Sequence, residues 1–253
     1  VTLAVDQLVN HAAKFRAMYG GKVSVPLLVR TPMGGRRGYG PTHSQSLETL
    51  LLGTPGLEVV SANEIVDLTE IVSTTIAELR DPVLFLENKS MYGRENRTCA
   101  DSRLDAFRVK TPEGGGRFDR ILSLRGFTGG DLTIVSHGGM VPLVVEAATH
   151  LAIEDEIFAD IAIPARLHPA GMEWIADSAR STGALLVAEE SQIPWGFGAE
   201  VLASVAERGV QARMGRVGPA RGVVPAGADA EAAHLPQVGD VVRAARALLG
   251  GGR

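Results

Sequence analysis

A single cysteine, Cys99, is all the thiol chemistry in this chain of 253 residues. One cysteine excludes an internal disulfide framework and any multi-cysteine metal site, and it fits a reducing intracellular compartment. No apolar run approaches the length needed to span a bilayer. The first residues also lack the basic-then-apolar pattern of a secretory signal. A basic excess is missing too, since the net charge is −4, the reverse of a nucleic-acid binder's footprint. No repeat of fixed short period is present. These absences lead us to expect a cytoplasmic protein that meets neither membrane nor nucleic acid.

What is present suits a compact core. Apolar residues make up 45% of the chain and charged residues 21%, and the length predicts two modest domains. Leu3, Ala4, Leu8, Ala12 and Phe15 recur at helical spacing. Val23–Val29 reads as a strand, followed by a glycine-rich loop from Thr31 to Gln45, a short helix near 46–52, and a strand over Leu57–Val60. Asn63 is a candidate N-cap for a helix marked by Ile65, Leu68, Val72, Ile76 and Leu79. The unbroken apolar run Pro82–Leu86 suits a strand of a parallel sheet. A second unit follows: strands over 132–135, 157–163 and 184–188 alternate with helices over 141–151, 171–181, 197–207 and 241–249. This traffic predicts an α/β fold of two domains, each a mostly parallel sheet flanked by helices. We place the first domain at 1–92, a linker at 93–130 with one strand near Ile121–Leu124, and the second domain at 131–253.

The loop Thr31-Pro-Met-Gly-Gly-Arg-Arg-Gly-Tyr-Gly-Pro-Thr-His-Ser-Gln45 is the most informative segment. Its glycines permit positive φ or close backbone approach to a ligand. No Gly-Lys-Ser/Thr follows, so it is not a P-loop, and His43 stands where a dinucleotide fingerprint needs its third glycine. His43 has the chemistry for proton transfer or anion stabilisation near neutral pH, or for capping the short helix behind it. Arg36 and Arg37 suit a carboxylate or phosphate, or plain solvation. Gly138-Gly139, with His137 beside them, suit an anion on free backbone N–H groups or close strand–helix packing. Glu189-Glu190 resembles a paired-carboxylate site or a local cap. His11, His150, His168 and His234 have no partners at metal-ligand spacing, and no metal site is assigned.

Ordered motifs carry a family resemblance along the whole chain. They are Asp6-Gln-Leu-Val-Asn10, Pro26-Leu-Leu-Val-Arg30, His43-Ser-Gln-Ser46, Pro55-Gly-Leu-Glu-Val-Val60, Asp81-Pro-Val-Leu-Phe-Leu-Glu-Asn88 and Met91-Tyr-Gly93. This set resembles the pyrimidine-binding domain of the beta subunit of pyruvate and branched-chain 2-oxo acid dehydrogenases. Thr133-Ile-Val-Ser136, Gly183-Ala-Leu-Leu-Val-Ala-Glu-Glu190, Gly196-Phe-Gly-Ala-Glu200 and Leu235-Pro-Gln-Val238 are similar to the transketolase C-terminal domain.

The resemblance implies thiamine diphosphate with Mg2+, held mainly by a partner chain or by a segment upstream of Val1. It implies that a 2-oxo acid or other keto substrate is decarboxylated or cleaved, and that the acyl unit passes to a lipoyl domain or carrier protein. The family's channel histidine maps onto His43 as a catalytic residue, with Tyr39, Ser44 and Gln45 as its neighbours in the substrate channel. An alpha-type subunit is the implied partner, in a hetero-oligomer. The family glutamate that activates the aminopyrimidine lies upstream of the stretch matching Val1, so no cofactor-binding residue is assigned here. Ala165-Arg-Leu-His-Pro169 and Arg221 depart from the family pattern, and no potassium site is assigned. Two alternatives stay open: a split transketolase-like enzyme that loads a two-carbon unit onto a carrier protein, and a non-catalytic assembly subunit.

Overall fold

A computed structural model describes residues 1–94 and 104–250; Cys99 lies outside them. The chain opens in helix, passing from a tight turn at Thr2–Ala4 through a wider one at Gln7–Ala12 into α1 (Ala13–Met18). The first strand, β1 (Leu28–Met33), lies further along than the expected 23–29 and runs through Pro32. Pro32 is tolerated because β1 is an edge strand, where a missing N–H breaks no ladder. After β2 (Glu58–Ser61) comes α2 (Leu68–Glu78), then β3 (Val83–Asn88). The N-cap of α2 is Asp67, whose carboxylate accepts from the Thr69 and Glu70 amides, and not Asn63. Asn63 is buried and closes its own turn by accepting from the Ile65 amide.

The segment read as a linker also carries two strands. These are β4 (Phe107–Lys110) and β5 (Arg120–Leu124), an antiparallel pair joined to the second sheet through β7. The chain continues with β6 (Leu132–Ser136), α3 (Val141–Asp155), β7 (Ala159–Ile163), β8 (Arg166–His168), α4 (Glu173–Thr182) and β9 (Ala184–Ala188). It closes with α5 (Phe197–Glu207), β10 (Arg213–Val217), α6 (Ala228–His234) and α7 (Val238–Leu249). The strand order is β1-β3-β2-β8 in one sheet and β10-β9-β6-β7-β5-β4 in the other, parallel except for β8, β5 and β4. β8 was not anticipated. It leaves the second half of the chain to pair antiparallel with β2, stitching the two halves together.

Every side chain of β6 and β9 is buried. Both faces of a central parallel strand are covered by helices, so β9 reads as an unbroken apolar run and even Thr133 and Ser136 of β6 are buried. One apolar cluster joins α3 and α7 to the second sheet. Another runs from Leu51, Leu57, Leu84 and Leu86 of the first half to Val135, Leu185, Phe197 and Val201 of the second. The seam between the halves is therefore a packed core, and polar groups buried along it are held in fixed geometry.

Candidate functional site

The glycine-rich loop is pinned from below by carboxyl groups that arrive from the other half of the chain. Glu190, just beyond β9, accepts from the Gly35 amide at 2.5 Å and from the Asn88 side-chain amide at 3.3 Å. Glu231 on α6 accepts from the Arg36 amide, from the Arg37 amide at 3.2 Å and from the Ser44 hydroxyl at 3.0 Å. A Cβ on Gly34 would collide with the Asn88 amide, and one on Gly35 would meet the Glu231 carboxyl at 2.5 Å. Only glycine lets the backbone come this close.

Arg36 adopts positive φ, and its guanidinium turns inward to the Pro236 carbonyl at 2.8 Å. It also lies 3.7 Å from Glu190. Arg37 stays exposed and reaches the Lys89 carbonyl at 2.8 Å.

Above this floor the loop tip projects. His43 is exposed, and the Lys89 ammonium donates to its carbonyl. Burial lowers the Lys89 pKa, and the nearby carboxyl of Glu231 works against that shift. Tyr39 is exposed, bridges to Ala226 and carries the Lys89 ammonium 5.6 Å from its ring centre. Gln45 is half-buried and donates to the Thr42 carbonyl at 3.3 Å. Ser44 is buried, its hydroxyl turned to Glu231 and away from the surface. The four residues expected around the channel thus share one loop. Two of them, Tyr39 and His43, are exposed.

A second constellation lies deeper. Glu48 is fully buried, and neither of its carboxyl oxygens has a hydrogen-bond partner. Burial raises its pKa to about 7, with the nearby Glu189 and Glu190 adding to the rise. His137 faces it, Nε2 to Oε1 at 3.8 Å, while its Nδ1 meets the Ser61 hydroxyl at 3.3 Å and its ring packs edge-on against Phe197. Burial depresses the His137 pKa to about 4. At neutral pH the imidazole is uncharged, so this contact is not an ion pair despite its length.

Glu189 accepts from the Ser191 hydroxyl and the Gly198 amide, and burial raises its pKa. Gly139 abuts Asn88 with no room for a Cβ, so the Gly138-Gly139 pair here serves close packing. Glu48, Lys89 and Glu231 carried no motif signal in the sequence. Their roles come from what the fold places opposite them.

Two mostly parallel sheets flanked by helices and stitched together by β8, with the histidine loop at their junction, form a transketolase-like architecture. Residues 3–95 match the transketolase pyrimidine-binding domain and residues 124–241 the transketolase C-terminal domain. The beta-1 subunit of the mitochondrial pyruvate dehydrogenase E1 component of Arabidopsis thaliana is 33% identical over 96% of this chain. The subunit beta of acetoin:2,6-dichlorophenolindophenol oxidoreductase of Cupriavidus necator is 32% identical over 98% of this chain and 70% of its own length. A solved structure described as split gene transketolase, inactive beta4 tetramer, superposes with a TM-score of 0.64 at 25% identity, covering 99% of this chain and 75% of that one. The chain belongs to the family of transketolase-like beta subunits that includes those of pyruvate dehydrogenase E1 and acetoin oxidoreductase. It spans 65% of the length of the Arabidopsis protein and 62% of a rice counterpart.

The family is thiamine-diphosphate-dependent. The buried cluster here does not fit that cofactor. The void beside Glu48, Asn88, His137 and Glu190 offers about 10 Å³, the scale of one water molecule. Its acidic lining would also repel a diphosphate. Among the described residues no group of three or more His, Cys, Asp or Glu is placed to hold a metal ion, and no helix is long and apolar enough to cross a membrane.

Proposed function

We propose that this chain is the beta-type component of a thiamine-diphosphate-dependent 2-oxo acid dehydrogenase. With an alpha-type partner it decarboxylates or cleaves a keto substrate and passes the acyl unit to a lipoyl or carrier-protein thiol. The observation that carries this reading is the exposed His43 on a loop whose flanks are anchored in the protein, in a member of this family. When bound, thiamine diphosphate supplies the carbon nucleophile and the electron sink. The cofactor and its Mg2+ are held mainly by the partner.

This chain's own part is His43, which gives or takes a proton at its imidazole during acyl transfer. Tyr39 and Gln45 stand beside it at the channel, and Ser44 holds the loop from beneath. Exposed Trp195 and Val223 support a large partner surface. Their loops are tied by a bond from the Gln192 amide to the Gly222 carbonyl at 3.2 Å. We place the assembly in the cytoplasm.

In the enzyme reconstituted with its alpha-type partner, His43→Ala should slow acyl transfer to a dihydrolipoyl acceptor by about a hundredfold or more. An unchanged transfer rate would remove His43 from the mechanism. A second reading, a split transketolase-like enzyme loading a two-carbon unit onto a carrier protein, is favoured by the likeness to the split-gene transketolase structure. Ketose phosphate and pyruvate offered as alternative donors separate the two readings. Turnover with pyruvate alone would dismiss the second.

A further inference from the structure

We propose that Glu231 is the positioning residue for His43: one carboxyl group on α6 closes the histidine loop at both shoulders and sets where its tip can be. This rests on the reading of His43 as the residue that acts in acyl transfer. Glu231 is 1% exposed and accepts three hydrogen bonds, from the Arg36 and Arg37 amides at one shoulder and from the Ser44 hydroxyl at the other. A carboxylate is a pure acceptor with room for several donors, and bonds to it are stronger than neutral ones. Ser44 is the residue next to His43, so its bond fixes the backbone at the point from which the imidazole projects.

The rest of the clasp belongs to the same stretch of chain. The Gly227 amide donates to the Gly38 carbonyl at 3.1 Å, Tyr39 bridges to Ala226, and the Arg36 guanidinium reaches the Pro236 carbonyl and the Gln237 side chain. Segment 226–237 is therefore the mould in which loop 34–44 is cast. From outside, the Lys89 ammonium holds the His43 carbonyl, leaving the ring as the free end.

The test uses the full chain and reads the loop directly. In Glu231→Ala, amide hydrogen exchange at Arg36 and Arg37 should quicken by about tenfold to a hundredfold, the scale of a lost hydrogen bond to a charged group. Trypsin should cut after Arg36 and Arg37 correspondingly faster, while the amides of β3 and β9 keep their protection. The His43 imidazole resonance, assigned through His43→Ala, should move toward its position in the unfolded chain while that of His150 stays.

Unchanged exchange and an unmoved His43 resonance in a folded Glu231→Ala would overturn the proposal. So would protection lost equally across β3 and β9, which would make Glu231 a general stabiliser. If Glu231→Ala does not fold, Ser44→Ala removes only the bond beside His43, and an unmoved His43 resonance there would overturn it as well. Neither readout depends on acyl transfer, so failure of the His43 assignment is seen separately, as transfer that survives His43→Ala.

Discussion

Replacing Glu48 by glutamine removes one ionisation from the seam between the two halves while keeping the side chain's shape. Burial raises the Glu48 pKa from 4.5 to about 7. Between those values the folded protein keeps a proton that the unfolded chain has released. The stability this provides is complete at low pH and is lost as pH rises from 4.5 to about 7. At about 1.4 kcal/mol per unit the loss is roughly 3 kcal/mol. His137 runs the other way. Burial lowers its pKa from 6.5 to about 4, so its stability is present above 6.5 and is lost as pH falls toward 4. That loss is also roughly 3 kcal/mol.

Across the overlap the two slopes oppose and nearly cancel, so the pair together adds little pH dependence there. Glu48→Gln exposes the His137 slope and abolishes the loss at higher pH. Urea unfolding of both proteins in steps from about pH 5 to about pH 8 should show the variant gaining roughly 2–3 kcal/mol on the wild type across that range. Any packing penalty of the amide is independent of pH and shifts the whole curve without changing its slope. A stability difference that stays constant across the range would refute the assignment of a protonated buried Glu48.

Three further outcomes follow from the fold. Gly34→Ala should destabilise by about 2 kcal/mol or more, because its Cβ strikes the Asn88 amide beneath the loop. Gly53→Ala, equally left-handed but facing open space, should cost only about 1 kcal/mol, and chemical denaturation of the two separates collision from backbone strain. Asp67→Ala deletes the cap that holds the Thr69 and Glu70 amides and should cost about 1 kcal/mol, with faster amide exchange confined to the first turn of α2. Phe197→Ala removes a fully buried ring packed on His137. It should cost about 3–5 kcal/mol in unfolding free energy, and it should raise the His137 pKa, seen by NMR titration, as water reaches the imidazole.

Strands whose faces are both covered were legible because burial on two sides leaves one signature, an unbroken apolar run. β9 shows it throughout and β3 over Val83–Leu86. Edge elements were not legible for the opposite reason. β10 reads Arg-Met-Gly-Arg-Val and is exposed or half-buried throughout, so no residue pattern marks it. β8 has three residues and exists because β2 offers it a free edge. Helix α2 was found, but its start was misplaced. Ile65 fits the helical period although the chain enters the helix only after Asp67, and a side chain buried in a preceding turn mimics the first residue of a helical stripe.

The site divides along the same line. His43 could be nominated because a short ordered motif surrounds it, whereas Glu231 lies in an alanine-rich stretch with no motif around it. What makes Glu231 special is its distance in sequence from what it holds: Ser44 is 187 residues away and Arg36 is 195. Local chemistry can nominate a histidine, since the imidazole carries its capacity for proton transfer wherever it stands. An acceptor is defined by its donors. Here the donors are two backbone amides and a hydroxyl, groups found in nearly every segment, so only the folded arrangement can single out the carboxyl group that meets all three. The same reasoning explains Glu48. Its displaced ionisation comes from total burial opposite a neutral His137, and burial of a polar residue is a property of the tertiary packing around it.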